Sequence, residues 1–243
     1  MARFLLENMY NFSIMFIHKS VNSQIPLFIF LVFVLVSCRM QTERQNSGKQ
    51  IKIACVGDSI TYGYGIQNRE EFAYPSQLAK ILGDSYEVRN FGVSGRTVLK
   101  KGDFPYWAEL AYKEAIEYNP DIVIIKLGTN DSKFHNWAYR DQFISDYTEM
   151  IKSFQMLPAN PEVYICFPVP LYLARSDIND SVITEHVIPR IDSISDISSV
   201  PMINLYAPLS NLPQHFPDGI HPNADGARII AQTVAKSLAG SNP

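Results

Sequence analysis

Charge is scarce in this sequence. Acidic and basic residues make up 19% of its 243 positions, 24 against 21, and lysines and arginines nowhere gather into a block. A protein that coats a polyanion needs such a block, so nucleic acid is not an expected partner. Cysteine is scarcer still: Cys38, Cys55 and Cys166 stand far apart, with no CxxC or Cys/His spacing. That argues against a disulfide scaffold and a zinc site, and leaves Cys55 and Cys166 as small core residues. HExxH, paired histidines and carboxylate clusters at metal-ligand spacing are all missing, and Gly63-Tyr64-Gly65 lacks the Gly-Lys-Ser/Thr of a phosphate loop. Metal: none, and cofactor: none, are therefore the expectations.

Apolar residues, by contrast, make up 47% of the chain, enough for one sizeable core at this length. One apolar stretch must first be set aside. Residues 25–37 carry no charge, follow Lys19 and end at Cys38. The run is short for a membrane span and suits the apolar centre of a signal peptide. Leu35-Val36-Ser37-Cys38 resembles the bacterial lipobox, in which a cysteine after a small residue becomes lipidated. Residues 1–37 are thus expected to be a lipoprotein-type signal peptide and 38–50 the lipidated Cys38 with a polar tether. Residues 51–240 would form one exported domain held at a membrane by its anchor. An ordinary cleaved signal or an uncleaved anchor is the alternative.

From Lys49 onward, short β-branched runs alternate with amphipathic stretches. The expected strands are 51–56, 86–91, 121–127, 162–167 and 202–205; the expected helices are 75–82, 106–118, 140–156, 182–197 and 223–238. Repeated βα units of this kind predict an α/β fold, a flavodoxin-like three-layer α/β/α sandwich around a five-stranded parallel sheet. Such sheets bind ligands beyond the carboxyl ends of their strands.

The chemistry-bearing residues fall at those ends. Gly57-Asp58-Ser59-Ile60-Thr61 follows the first strand and presents a serine, a weak nucleophile that needs a base. Asp218-Gly219-Ile220-His221-Pro222-Asn223 offers one: a carboxylate three positions before a histidine can hold one ring nitrogen and leave the other for the serine. Donors for a developing oxyanion are the Ser59 N–H, the Gly92 N–H after the second strand and the Asn130 amide after the third.

GDSIT at 57–61, Gly92, GTND at 128–131 and DGIHPN at 218–223 resemble the four blocks of the SGNH (GDSL-type) hydrolase family, in family order. The resemblance runs over most of the chain from Lys49 to Leu238. It implies Ser59 as nucleophile, Asp218 and His221 as its partners, and Ser59, Gly92 and Asn130 as the oxyanion hole. The stretches Gly128 to Trp137 and Asn90 to Asp103 are most similar to exported bacterial esterases of acetylated sugars, including sialic acids. A glycan or other small-molecule ester is the substrate this implies. A lysophospholipase or thioesterase of the same fold is the alternative, and a non-catalytic glycan-binding module is the reading from another class.

Each residue also has a plainer use. Ser59 and Gly92 fit ordinary turns, Asn130 a loop, and Asp218 a helix cap before Pro222. Asp58 and Asp131 fit supports that bond loop N–H groups. Trp137 is a candidate substrate contact or a packed ring, and Arg96 a candidate partner for a substrate carboxylate or half of an ion pair. His135, His186 and His215 have no partner spacing and fit surface positions.

Overall fold

A computed structural model describes residues 49–173 and 177–240. The signal peptide read at 1–37, Cys38 and most of the tether lie outside the described residues. Strands β1 (Ile51–Gly57), β2 (Tyr86–Gly92), β3 (Ile122–Lys126), β4 (Glu162–Cys166) and β5 (Met202–Ile203) form one parallel sheet in the order β2-β1-β3-β4-β5. The helices are α1 (Ser59–Tyr62), α2 (Arg69–Phe72), α3 (Tyr74–Leu82), α4 (Leu110–Tyr118), α5 (Phe134–Trp137), α6 (Phe143–Gln155), α7 (Asp180–Val182), α8 (Ile188–Ser198) and α9 (Ala224–Gly240).

Period-two alternation distributes the central strands between two cores. Ala54, Val56, Val123, Ile125, Val163 and Ile165 face α4, α6 and α8, while Ile53, Cys55, Ile124, Tyr164, Cys166 and Ile203 face α3 and α9. These are the three layers the periodicity predicts, with both sheet faces covered. Cys55 and Cys166 are buried free thiols, and burial raises both far above the ordinary thiol range, as inert core residues require. Truncating a core residue such as Ile125 to alanine would cost about 2–5 kcal/mol.

Three elements differ from the expectation, each for a tertiary reason. The helix expected over 106–118 is interrupted: Tyr106–Ala108 forms a 3₁₀ turn and Glu109 is extended before α4 begins. Tyr106 donates to the Phe91 carbonyl (2.6 Å) and Trp107 to the Val98 carbonyl (2.8 Å), tying the turn to β2 and its following loop. The helix expected over 182–197 contains a π-turn at Ile183–Val187 just before Pro189, whose missing N–H cannot continue an α-helical ladder. β5 stops at Ile203, and Asn204 Oδ1 then accepts from the Ala207 N–H and turns the chain.

Candidate active site

At the end of β1 the chain reverses on Asp58. Its Oδ1 caps α1 by accepting the Ile60 N–H (3.0 Å), and the Ser59 carbonyl accepts from Gly63 (3.0 Å) and Tyr64 (2.9 Å). Ser59 is thereby fixed at the carboxyl edge of the sheet, 7% exposed. The second half of the site comes from the turn after β5. Gly219 sits at φ +75°, and a Cβ there would lie 2.3 Å from Leu173 Cβ, so both conformation and space demand glycine. This turn lets Asp218 Oδ1 accept the N–H groups of Ile220 (3.0 Å) and His221 (2.7 Å), while Oδ2 lies 2.6 Å from His221 Nδ1. His221 Nε2 is 2.9 Å from Ser59 Oγ. The structure therefore joins Ser59, His221 and Asp218 across 162 residues. Burial pushes the Asp218 carboxyl up, but the His221 ring and the two backbone N–H groups outweigh it and hold it below the ordinary carboxylate value. Asn223, and not Asp218, caps α9, by accepting the Gly226 N–H (3.0 Å).

One of the expected oxyanion donors is engaged elsewhere. Gly92 N–H donates to Asn90 Oδ1 (2.9 Å), and the same Asn90 donates to the Thr61 carbonyl (2.8 Å). Gly92 is thus committed to docking β2 against α1; a Cβ there would lie 2.2 Å from the Tyr62 nitrogen. Three residues on, Gly95 has φ +83° with open space at its Cβ position, and its N–H has no acceptor among the described residues. Gly95, not Gly92, is the donor this loop leaves available. Its signal in the sequence was only the second glycine of Gly92-Val93-Ser94-Gly95. Asn130, 7% exposed, gives one amide hydrogen to the Arg96 carbonyl (3.1 Å) and retains the other. Asn136, which the sequence reading did not single out, donates to the Asn130 carbonyl (2.9 Å) and pairs with Asp103 (2.9 Å).

Beneath these groups lies a buried charged network. Lys126, the last residue of β3, is fully buried and donates to both Asp58 oxygens (3.1 and 3.0 Å) and to Thr129 Oγ1 (2.7 Å). It joins the turn that carries Ser59 to the loop that carries Asn130. Burial pulls its ammonium down and the Asp58 charge beside it pushes it back up, with burial prevailing. Asp131 accepts the N–H groups of Val98 (3.2 Å) and Leu99 (2.8 Å), tying in the loop that carries Gly95. Burial outweighs those bonds, and its carboxyl is pushed up to about 7. Asp58 and Asp131 are supports, as their positions implied; a lysine ending a strand gave no such hint.

Two candidate substrate contacts are placed differently from their functional reading. Arg96 Nε and Nη2 both lie 2.8 Å from Glu109 Oε1, and Nη1 donates to the Ser94 carbonyl, so its guanidinium is already engaged. Trp137 is 8% exposed and packed on Phe143, His186 and Arg190, which makes it a wall and not a stacking platform. Tyr64, half exposed between two glycines, instead reaches the site: its ring centroid is 4.5 Å from that of His221. Among the described residues no group of three His, Cys, Asp or Glu side chains could hold a metal, and no helix is long and apolar enough to cross a membrane.

Comparison with known proteins places this geometry. The profile of the GDSL-like lipase/acylhydrolase family matches residues 55–229. An acetylxylan esterase of Xylanibacter ruminicola is 42% identical over 206 residues, which cover 77% of this chain and 43% of that protein. The chain therefore spans less than half the length of that relative. Among solved structures, a carbohydrate acetylesterase from Sinorhizobium meliloti superposes with a TM-score of 0.66 at 21% identity, covering 79% of this chain and 99% of that one. The M. smegmatis aryl esterase gives a TM-score of 0.64 at 21% identity, covering 78% and 99%. At such identities these two likenesses show the fold alone.

Proposed function

Because the chain belongs to the GDSL-like lipase/acylhydrolase family, we propose that it is a serine esterase that removes O-acyl groups, acetyl above all, from carbohydrates. The observation that carries the reading is the unbroken chain from Asp218 Oδ2 to His221 (2.6 Å) and from His221 Nε2 to Ser59 Oγ (2.9 Å). With the ring proton on Nδ1 held by Asp218, Nε2 accepts the Ser59 proton as Oγ attacks the ester carbonyl. The Ser59 N–H, the Gly95 N–H and the second amide hydrogen of Asn130 supply donors for the oxyanion. His221 then protonates the leaving alcohol, and water activated by the same ring releases the acid and regenerates Ser59. The Tyr64 ring, tilted against the His221 ring at 4.5 Å, helps hold the imidazole in place.

The acetylxylan esterase named above supports acetylated xylan as the first polymer to test, with sialate esters as the second class. Acetate release from both, by the wild type and by Ser59→Ala, is the direct measurement. Release that is the same in both proteins sinks the mechanism, and a preference for long-chain esters moves the substrate to lipids. Export and anchoring through Cys38 belong to the same proposal; they rest on the uncharged run at 25–37 and the lipobox-like residues before Cys38. Membrane partitioning that survives Cys38→Ala rules the anchor out.

A further inference from the structure

The catalytic groups leave unexplained a cleft of about 340 Å³ bounded by the segment after β3 and the segment after β4. Phe134, Trp137, Ala138 and Arg140 line it on one side, Ile178 and Asn179 on the other. Its position ties it to the site. Ser132, which also lines it, lies two residues after Asn130, and Ile178 packs in one apolar cluster with Ile220, the residue between Gly219 and His221. Openings beyond the carboxyl ends of parallel strands are where such sheets take ligands, and this volume falls in the range of small-molecule sites.

Phe134 is the residue that asks for a partner. Its side chain is 86% exposed at the start of α5, the most exposed of the large apolar residues described, and it borders the cleft. A single exposed ring is ordinary on a protein surface; this one matters because it borders a cleft of ligand size next to the Asn130 segment. At the rim, the Arg140 guanidinium has no partner among the described residues, and Asn179, which uses its oxygen on Ser181, keeps its amide hydrogens for an acceptor. A flat apolar face with polar donors around it matches a pyranose ring, whose C–H face is apolar and whose edge carries hydroxyls. A long acyl chain would ask instead for an enclosed apolar tunnel, whereas Phe134, Ala138 and Arg140 leave this cleft open to water.

Resting on the esterase reading above, we propose that this cleft is a glycan subsite in which Phe134 stacks on a pyranose ring of the acetylated substrate while Arg140 and Asn179 bond its hydroxyls. The test compares kcat/KM on acetylated xylo-oligosaccharides with kcat/KM on p-nitrophenyl acetate, in the wild type, Phe134→Ala and Ala138→Trp. Loss of one aromatic stack lowers the ratio of the two values about tenfold, mainly through KM on the oligosaccharide. Filling the cleft with Ala138→Trp lowers the ratio in the same direction without emptying anything, which separates the effect from misfolding. A ratio unchanged in both variants overturns the subsite, as does selective loss on p-nitrophenyl octanoate, which would make the cleft an acyl site. Failure of the underlying reading looks different: the wild type and Ser59→Ala would then hydrolyse p-nitrophenyl acetate alike.

Discussion

Two sets of charged and polar groups meet at the carboxyl edge of the sheet, and they are built in opposite ways. In the outer set, Asp218 and His221 keep contact with solvent, 42% and 18% exposed, and reach in to Ser59, which is 7% exposed. The inner set, Lys126, Asp58 and Asp131, is fully buried, and each of its side chains is bonded to a segment that carries Ser59, Gly95 or Asn130. Groups that exchange protons with substrate and water need access and a light hold, whereas groups that only set positions gain from a dry, low-dielectric setting that strengthens each bond. Removing an outer group should therefore abolish chemistry at little cost in stability, and removing an inner one should first cost stability.

The largest effect is expected from Ser59→Ala. Loss of the proposed nucleophile lowers kcat by roughly 10⁴-fold or more with the melting temperature nearly unchanged; a parallel collapse in stability would erase the distinction between the two sets. Asn130→Ala comes next, lowering kcat about 10²–10³-fold as an oxyanion donor is lost, read from steady-state kinetics on p-nitrophenyl acetate. A change confined to KM would remove Asn130 from the oxyanion hole.

Lys126→Met tests the inner set by leaving Asp58 buried and unpaired, which costs about 3–5 kcal/mol in urea unfolding, part of it recovered in the Lys126→Met/Asp58→Asn double variant. A single variant as stable as the wild type would show that the pair holds nothing. The last prediction concerns pH. Burial raises the Asp131 carboxyl from the ordinary 3.8 to about 7, so between these values the folded state binds more protons than the unfolded one. Its contribution to stability is therefore complete at acid pH and is lost as pH rises through that window. Asp131→Asn should flatten this slope in unfolding measured across the window, and a slope that persists assigns it to another group.

Much of this arrangement was legible in the amino-acid pattern. Apolar periodicity located the five strands to within two residues at each end, because covered strands and amphipathic helices write their burial into the local order of residues. Ser59, Asp218 and His221 were legible for a different reason: each alone also fits a turn or a cap, but GDSIT, GTND and DGIHPN occur together and in family order. The break at Glu109 was not legible, since it is imposed by Tyr106 and Trp107 reaching the carbonyls of Phe91 and Val98.

By itself the sequence determined the layers and the edge on which the site lies, and it singled out Ser59, Asp218 and His221, which the fold brings together; these follow from local periodicity and from motifs a few residues long. Only the tertiary structure decided which glycine keeps a vacant N–H, that Arg96 is held by Glu109, that Trp137 is wall, and that Lys126 binds the Ser59 turn to the Asn130 loop. Most of these depend on which acceptor or neighbour lies within reach across the fold, and even Gly92 is committed by Asn90 only because β2 docks on α1; a hydrogen bond between Lys126 and Asp58 spans 68 residues and leaves no trace in the local order of either segment.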